Sequence, residues 1–212
     1  MLHKNPKLIE TATFELIQKL QNLPKLKDFY LVGGTALTLQ LGHRNSIDID
    51  LFTTNKFEDN SLINFIKKKF TIDLVFNKPN TIICIIEGVK VDFIKHNYPI
   101  LKPIISEEGI NMLSSQDICA MKLNAIQNSG QRLKDFIDIY FLLEHFSIKQ
   151  MLGFYSEKYT MMNPVIALRA ITYFDDIDPN IDPPKLLIPL TLEKIKKRII
   201  DAVLHSNKIF KQ

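Results

Sequence analysis

The chain has 212 residues, of which 46% are hydrophobic and 24% are charged. These proportions are typical of a folded soluble protein, and the length allows one large domain or two small ones with a real core. The formal net charge of +4 permits an anionic partner such as a nucleotide or RNA, but it does not require one.

Cysteine usage and hydropathy exclude several classes of protein. Cys84 and Cys119 lie in apolar stretches without CxxC spacing, which argues against a disulfide framework or a zinc site and indicates reduced core residues. The first ten residues have no apolar region of the kind found in signal peptides. No apolar run is long enough to span a bilayer. The sequence therefore predicts a cytoplasmic protein that does not enter a membrane.

The first half of the chain alternates helical and strand patterns. A short apolar strand leads into the pair Gly33-Gly34, and a helix follows with Thr35 as its possible cap. Glu87-Gly88, between two later strands, is typical of a hairpin turn. The predicted elements are helices over 7–22, 35–42 and 61–70, and strands over 29–32, 46–53, 71–76, 81–87 and 89–94.

From about residue 114 the apolar period changes to that of a helix and remains so. A segment rich in proline and aspartate over 175–189 interrupts this pattern and is predicted to be a surface loop. We therefore predict a mixed α/β domain over 1–112 and an all-helical domain over 113–212. The predicted helices of the second domain cover 115–128, 132–146, 147–158, 163–174 and 191–209.

The glycine pair between strand and helix can form an anion site. Glycine lets the backbone come close to a phosphate, and the first N–H groups of a helix have no partner within it. Gly33-Gly34 can equally form a plain turn, so the pair alone decides nothing.

Asp48 and Asp50 are two residues apart in a predicted strand, which places both carboxylates on one face. Two anions held so close repel each other unless a cation lies between them. Carboxylate pairs suit Mg²⁺, which completes its coordination with substrate phosphates and water. The alternative is an edge strand whose acids face solvent, because Ile47, Ile49 and Leu51 on the other face fit both interpretations.

A third acid is available on another predicted strand. In the segment 89–94, Asp92 and Lys90 lie on the face opposite the valines. If this strand is a neighbour of 46–53, Asp92 completes a cluster of three carboxylates. Asp73 is a weaker candidate for the same role.

These motifs resemble a known family. Two glycines, an Asp-Ile-Asp strand and a later hydrophobic-Asp-hydrophobic strand resemble the nucleotidyltransferase fold of DNA polymerase β type. The string "GGTALTLQLGHRNSIDIDLF" (33–52) is similar in particular to the AbiEii/AbiGii-type toxin nucleotidyltransferases. The resemblance implies a mixed β-sheet flanked by helices, followed by a helical C-terminal portion.

Lys122 falls within the predicted apolar stripe of its helix, which Ile118, Met121, Ala125 and Ile126 define. Burying an ammonium group costs roughly several kcal/mol of desolvation free energy unless the group contacts an anion or reaches solvent. A triphosphate in a cleft would supply the anion, and a lysine extending to solvent is the alternative.

The following helix contains three charged residues, Lys134, Asp135 and Asp138. An exposed ion pair between Lys134 and Asp138 is the simplest interpretation. The segment "KDFIDIYFLL" (134–143) also resembles a later motif of the same family, which has leucine where this chain has Ile139. By that resemblance Lys122 binds phosphate, and Asp135 or Asp138 orients it or acts on the acceptor.

Two residues before the acidic strand have open roles. Arg44 matches an arginine of the family and can pair with a phosphate or with Asp48. Ser46 can donate to the γ-phosphate or only begin the strand. The basic helix near the C-terminus can contact RNA or present a solvated face.

The resemblance implies a nucleotidyltransferase that moves a nucleoside monophosphate from an NTP to an acceptor hydroxyl, with Mg²⁺ or Mn²⁺ as cofactor. It also implies a toxin of a type IV toxin–antitoxin or phage-defence system, with tRNA as an acceptor and a separate antitoxin as partner. An antibiotic-type nucleotidyltransferase and a non-catalytic nucleotide-binding module are the alternatives. The predicted catalytic residues are Asp48, Asp50, Asp92, Lys122, Asp135 and Asp138, the metal ligands are Asp48, Asp50 and Asp92, and the nucleotide-binding residues are Gly33, Gly34, Thr35, Arg44, Ser46 and Lys122.

Overall fold

The computed structural model describes residues 1–181, 183, 185–187 and 189–211. The chain divides into two compact units. Unit 1 comprises residues 1–42, 46–99 and 103–113, and unit 2 comprises residues 43–45, 100–102 and 114 onward. Two short segments from the first half of the chain therefore belong to the second unit.

Unit 1, which the structure describes throughout, contains a mixed sheet of seven strands and flanking helices. The prediction of a mixed α/β fold is confirmed. In chain order the elements are α1 (Thr11–Gln21), a 3₁₀ helix (Pro24–Leu26), β1 (Tyr30–Val32), α2 (Gly33–Leu41), β2 (Ile49–Thr53), α3 (Asp59–Lys67), β3 (Ile72–Lys78), β4 (Thr81–Ile86), β5 (Val89–Lys95), β6 (Ile105–Glu107) and β7 (Ile110–Met112).

The strands lie in the order β3-β4-β5-β2-β1-β7-β6. β2 runs parallel to β5, and β1 runs parallel to β7, whereas the other neighbouring strands are antiparallel. The hairpin turn predicted at Glu87-Gly88 is confirmed, and both residues have positive φ, 51° and 81°. The strands β6 and β7, of three residues each, were not predicted.

The two faces of the central strands differ in chemistry. Alternate residues of β2, β4 and β5 are fully buried and apolar, so this face packs on the core. The residues between them lie on the opposite face, which we call the site face. The core-face residues are Ile49, Leu51, Ile82, Cys84, Ile86, Val91 and Phe93.

β2 is shorter than predicted at its N-terminal end. It begins at Ile49 instead of residue 46, so Asp48 lies just before the strand. Ile47, which was expected on the buried face, is 49% exposed for the same reason. Both cysteines are free and buried, as predicted, and burial together with the charge of Asp92 raises the pKa of Cys84 to about 12.

Unit 2 is helical in the part that the structure describes. Side-chain oxygens of Ser114, Ser147, Asn163 and Thr191 accept N–H groups at four helix starts, which is why the predicted helix starts are accurate. The helices are α4 (Ser115–Asn128), α5 (Leu133–Leu142), α6 (Ile148–Lys158), α7 (Pro164–Ile171) and α8 (Leu192–Leu204).

Two details of unit 2 differ from the sequence patterns. The buried side of α4 includes Cys119 and Leu123, whereas Met121 and Ala125 of the predicted stripe are only half-buried. Over 175–189 the described residues contain no helix or strand, apart from an isolated bridge at Asp178, and residues 182, 184 and 188 of this predicted loop lie outside the described residues. No helix among the described residues has the length and apolar character needed to cross a membrane.

Candidate active site

The predicted metal-binding acids come together at the β2–β5 pair of unit 1. The parallel register places Asp50 directly opposite Asp92. Neighbouring strands of a sheet are about 5 Å apart, so the two residues are close. Both residues lie on the site face, because Leu51 and Val91 beside them point into the core. Asp48 immediately precedes the same strand. A parallel crossover thus joins two acids that are far apart in the sequence.

Asp73, the weaker candidate for the third carboxylate, lies elsewhere on the sheet. It is exposed on the edge strand β3, opposite Ile85 of β4. The strands β4 and β5 separate it from Asp50. The geometry therefore favours Asp92 for this role.

Lys90 is a residue of the site that was not proposed from the sequence. Its Nζ atom lies 2.9 Å from Oδ2 of Asp92. Partial burial lowers the pKa of Lys90, but the hydrogen bond to Asp92 and three nearby carboxylates raise it above its usual value overall. These carboxylates are those of Asp92, Asp48 and Asp50. Lys90 therefore places one positive charge near the three carboxylates. The alternation of Lys90 with Asp92 along β5 was the available signal in the sequence.

The other oxygen of Asp92 has no such partner. Oδ1 of Asp92 is buried and accepts no hydrogen bond from any residue that the structure describes. A buried carboxylate oxygen without a donor is costly, so it marks a place for a ligand. Within the described part of the chain, no three His, Cys, Asp or Glu side chains are arranged as a ready-made metal site.

Gly33 brings the start of α2 against the acidic strand. Its φ is +69°, and a Cβ atom at this position would lie only 2.2 Å from Oδ2 of Asp50. Only glycine fits this combination of conformation and close approach. The N-cap residue Val32 supplies no side-chain hydrogen bond to the first N–H groups of α2.

Thr35 does not cap α2, in contrast to the prediction. The helix already begins at Gly33, and Thr35 lies within its first turn. The Thr35 hydroxyl instead hydrogen-bonds the backbone oxygen of Asp48 and lies 2.9 Å from the hydroxyl of Ser46. Thr35 therefore holds the segment that leads into β2, and so fixes the position of Asp48.

In unit 2, five of the ionisable residues form one buried ionic network. Lys122 Nζ lies 2.6 Å from Asp135 Oδ1 and 2.7 Å from Asp138 Oδ2. Burial lowers the pKa of Lys122, but the two carboxylates raise it above its usual value. The members of this ionic network are His43, Arg44, Lys122, Asp135 and Asp138.

Asp138 is the centre of the ionic network. Arg44 donates a hydrogen bond to each oxygen of Asp138, from Nε to Oδ1 at 2.6 Å and from Nη2 to Oδ2 at 2.9 Å. His43 Nε2 lies 2.8 Å from Oδ1. Burial raises the pKa of Asp138, but Arg44 and Lys122 hold it well below its usual range. The carboxylate is therefore ionised in the folded protein.

The ionic network changes three interpretations made from the sequence. Lys122 already has two carboxylate partners, so its burial does not require a phosphate. Arg44 pairs with Asp138, a partner that was not considered. Asp138 and Lys134 are both buried, so neither side chain lies on an exposed face as that interpretation assumed. The phosphate roles of Lys122 and Arg44 stay predictions that rest on the resemblance.

A second buried ion pair in unit 2 was not predicted. Lys158 Nζ lies 2.8 Å from Oδ1 of Asp117, and both side chains are fully buried. Asp117 also accepts the backbone N–H groups of Leu101 and Lys102 at 2.9 and 3.2 Å. It therefore attaches the segment 100–102 to the start of α4.

The family of the chain shows that it is a nucleotidyltransferase. The profile of the family described as "Nucleotidyl transferase AbiEii toxin, Type IV TA system" matches residues 15–78 and 85–205. The chain therefore belongs to the AbiEii family, as the order of its motifs predicted.

Individual proteins are also similar to this chain. An uncharacterized protein of Aquifex aeolicus (strain VF5) is 33% identical over 168 residues, which cover 76% of this chain and 81% of the relative. Two Helicobacter pylori crystal structures, a candidate nucleotidyltransferase and JHP933, are each 18% identical with a TM-score of 0.57. The match covers 91% of this chain in both cases, and 91% and 88% of the two neighbours. At this identity, the likeness to the solved structures is one of fold.

Proposed function

We propose that this protein transfers a nucleoside monophosphate from an NTP to an acceptor hydroxyl and releases pyrophosphate. The observation that carries the proposal is the β2–β5 register, which sets Asp50 beside Asp92 on the site face. Membership of the nucleotidyltransferase family supports the reaction class. The arrangement suits phosphoryl transfer, whose catalysis consists mostly of positioning and charge neutralisation.

The start of α2 would receive the triphosphate. Gly33-Gly34 presents backbone N–H groups at a helix N-terminus, which favours anions. The close approach of Gly33 to Asp50 puts these donors next to the carboxylates. Thr35 and Ser46 complete the nucleotide side of the site, with Thr35 fixing the chain before Asp48.

The acids of the site fit a divalent cation. Carboxylate oxygens are the ligands that Mg²⁺ and Mn²⁺ prefer, and the buried Oδ1 of Asp92 lacks a donor among the described residues. Asp48, Asp50 and Asp92 would hold the ion. When bound, it would supply charge neutralisation on the phosphates and lower the pKa of the attacking hydroxyl.

We assign to Asp92 the role of general base, the group that takes the proton from the acceptor hydroxyl. Oδ2 of Asp92 is bound to Lys90, so Oδ1 is the oxygen that either the cation or the proton of an acceptor hydroxyl would occupy. Lys90 places its positive charge 2.9 Å from Oδ2 of Asp92. The atom that would take the proton from the acceptor hydroxyl is therefore Oδ1 of Asp92.

The residues of unit 2 would contribute in a different way. The resemblance assigns phosphate binding to Lys122 and Arg44, and acceptor or orienting roles to Asp135 and Asp138. The contacts of the two acids support an orienting role, since Asp138 holds Arg44 and Asp135 holds Lys122. We propose that these acids fix the two basic side chains in defined positions.

We further propose that the transferase acts as the toxin of a type IV toxin–antitoxin or phage-defence pair. The support for this role is the family match. On this proposal the protein works in the cytoplasm, tRNA is an acceptor, and a separate antitoxin protein controls it.

The proposal is tested with purified protein, Mg²⁺, total bacterial tRNA and each NTP in turn, labelled at the α-phosphate. We expect label on the RNA with at least one nucleotide. Asp48→Asn and Asp92→Asn should reduce the transfer by at least about 100-fold, because each removes a charge that positions the reacting phosphate. Asp73→Asn is the matched control and should retain the wild-type rate.

Other outcomes of this experiment are equally informative. Absence of label together with Mg²⁺-dependent NTP binding by calorimetry would show that tRNA is not the acceptor. Absence of both transfer and NTP binding would contradict the proposed reaction. Loss of transfer in Asp73→Asn but not in Asp92→Asn would assign the third carboxylate to the edge strand.

A further inference from the structure

The site face of unit 1 continues beyond the acids into an exposed apolar surface. Phe76 on β3 and Ile85 on β4 are 45% and 37% exposed, although both are large hydrophobic residues. Exposed apolar groups next to a polar site are typical of ligand-binding surfaces. We call Phe76, Lys78, Ile83 and Ile85 the β3–β4 surface.

Strand register connects the β3–β4 surface to the acids. Opposed residues of paired strands share a face, and Asp92 is opposite Ile83, which is opposite Phe76. The row therefore runs Asp50, Asp92, Ile83, Phe76 across four neighbouring strands. Phe76 lies two strands from Asp92, or about 10 Å, which is the scale of one nucleotide.

A positive charge accompanies the aromatic ring. Lys78 Nζ lies 5.8 Å from the ring centroid of Phe76, and Lys78 is opposite Thr81 on the same face. Three further exposed lysines, at positions 67–69, lie at the end of α3 and in the turn before β3. An aromatic ring with adjacent cations is the combination that binds single-stranded nucleic acid, because the ring stacks a base and the cations contact phosphates.

We propose that the β3–β4 surface binds the end of a single-stranded RNA acceptor, with one base stacked on Phe76 and the terminal ribose hydroxyl next to Asp92. The inference rests on the proposed transferase function and names the acceptor side of the same site. RNA fits better than a small molecule, because the surface is open, reaches the sheet edge and includes Lys78 next to the ring of Phe76. A protein partner would leave the positive charge near Phe76 without a role.

Tryptophan fluorescence gives a direct test, because the chain contains no tryptophan. Phe76→Trp introduces a single reporter that keeps an aromatic ring, and a stacked base quenches it. Leu74→Trp is the matched control, since Leu74 is 46% exposed on the same strand but is opposite Cys84 on the core face. We expect a short single-stranded RNA to quench the first variant and to leave the second unchanged.

Affinity measurements complete the test. With the same RNA carrying a fluorescent label, Phe76→Ala should weaken binding by about tenfold, as loss of one stacked base does. Leu74→Ala should bind as the wild type does, and all variants should bind NTP equally. Lys78→Gln should weaken RNA binding and reduce its salt dependence.

Each contrary outcome overturns the inference in a recognisable way. Equal RNA affinity in Phe76→Ala and Leu74→Ala, or no RNA binding by the wild type, would exclude the β3–β4 surface as an RNA site. A loss of NTP affinity in Phe76→Ala would assign the ring to the triphosphate substrate. Because RNA binding is measured without NTP, these results are independent of whether Asp48→Asn abolishes transfer.

Discussion

At the scale of single residues, His43 shows how burial sets a protonation state. Its side chain is almost fully buried, and Nε2 contacts Asp138. Burial lowers its pKa below 6.5 and outweighs Asp138, and the charges of Arg44 and Lys122 act in the same direction as burial. Nδ1 has no hydrogen-bond partner in the described residues, which fits a neutral ring protonated on Nε2.

This protonation state makes stability depend on pH. The unfolded chain protonates His43 below about pH 6.5, whereas the folded protein does not, so the unfolded state binds more protons and stability falls as the pH is lowered. The expected slope is up to about 1.4 kcal/mol per pH unit between pH 6.5 and the lowered pKa. His43→Gln keeps a donor for Asp138 but does not titrate, so it should flatten this slope.

The measurement is urea unfolding of the wild type and of His43→Gln between about pH 5 and pH 8, the range in which histidine side chains titrate. His205→Gln replaces an exposed histidine and is measured in the same way for comparison. If His43→Gln and the wild type show the same slope, the buried imidazole is not the source of the pH dependence.

At the scale of elements, the sequence predicts the pieces of the site better than their assembly. Alternation along the chain places Asp50 and Asp92 each on one face of its strand. The pairing of β2 with β5 is a long-range contact, and nothing in either segment specifies it. Lys122 illustrates the same limit. The helix pattern shows that Lys122 is buried, but it does not show that Lys122 forms ion pairs with Asp135 and Asp138.

The turn between β1 and α2 provides the prediction at this scale. Gly33→Ala should lose NTP binding and transfer, because its Cβ would overlap the carboxylate of Asp50. Gly88→Ala is the matched control, since Gly88 also has a positive φ, +81°, but a Cβ added there would meet no atom of the described residues within 4 Å. The left-handed backbone should cost each variant about 1–2 kcal/mol.

Calorimetric titration with NTP and Mg²⁺, together with urea unfolding, separates the two effects. Both variants should be destabilised to a similar degree, and only Gly33→Ala should lose nucleotide affinity. Normal NTP binding by Gly33→Ala would show that the position of Asp50 tolerates the displacement and that the turn is not part of the nucleotide site.

At the scale of the whole molecule, the two units are interleaved along the chain. The change of sequence pattern near residue 113 predicts a domain boundary there, and this stays a prediction. The longest segment of unit 2 begins at Ser114. Unit 2 also includes residues 43–45 and 100–102, which carry no helical pattern of their own. Their assignment depends on contacts to two buried acids, Asp138 and Asp117, which local sequence patterns do not reveal.

This interleaving predicts that the helices of unit 2 are not stable alone. A fragment of residues 114–212 lacks Arg44, which pairs with Asp138, and the backbone N–H groups of Leu101 and Lys102, which bind Asp117. Removing the partner of a buried charge costs about 3–5 kcal/mol, which is comparable with the whole stability of a typical domain, about 5–15 kcal/mol. The fragment should therefore lack a cooperative unfolding transition.

A longer fragment of residues 100–212 tests the physical reason. It regains both N–H donors to Asp117 but still lacks Arg44, so its stability should lie between that of the short fragment and that of the intact chain. Urea unfolding followed by circular dichroism measures all three proteins under the same conditions. Cooperative unfolding of 114–212 at the same midpoint as 100–212 would show that the helices pack independently, and that the contacts to Asp117 contribute little to their stability.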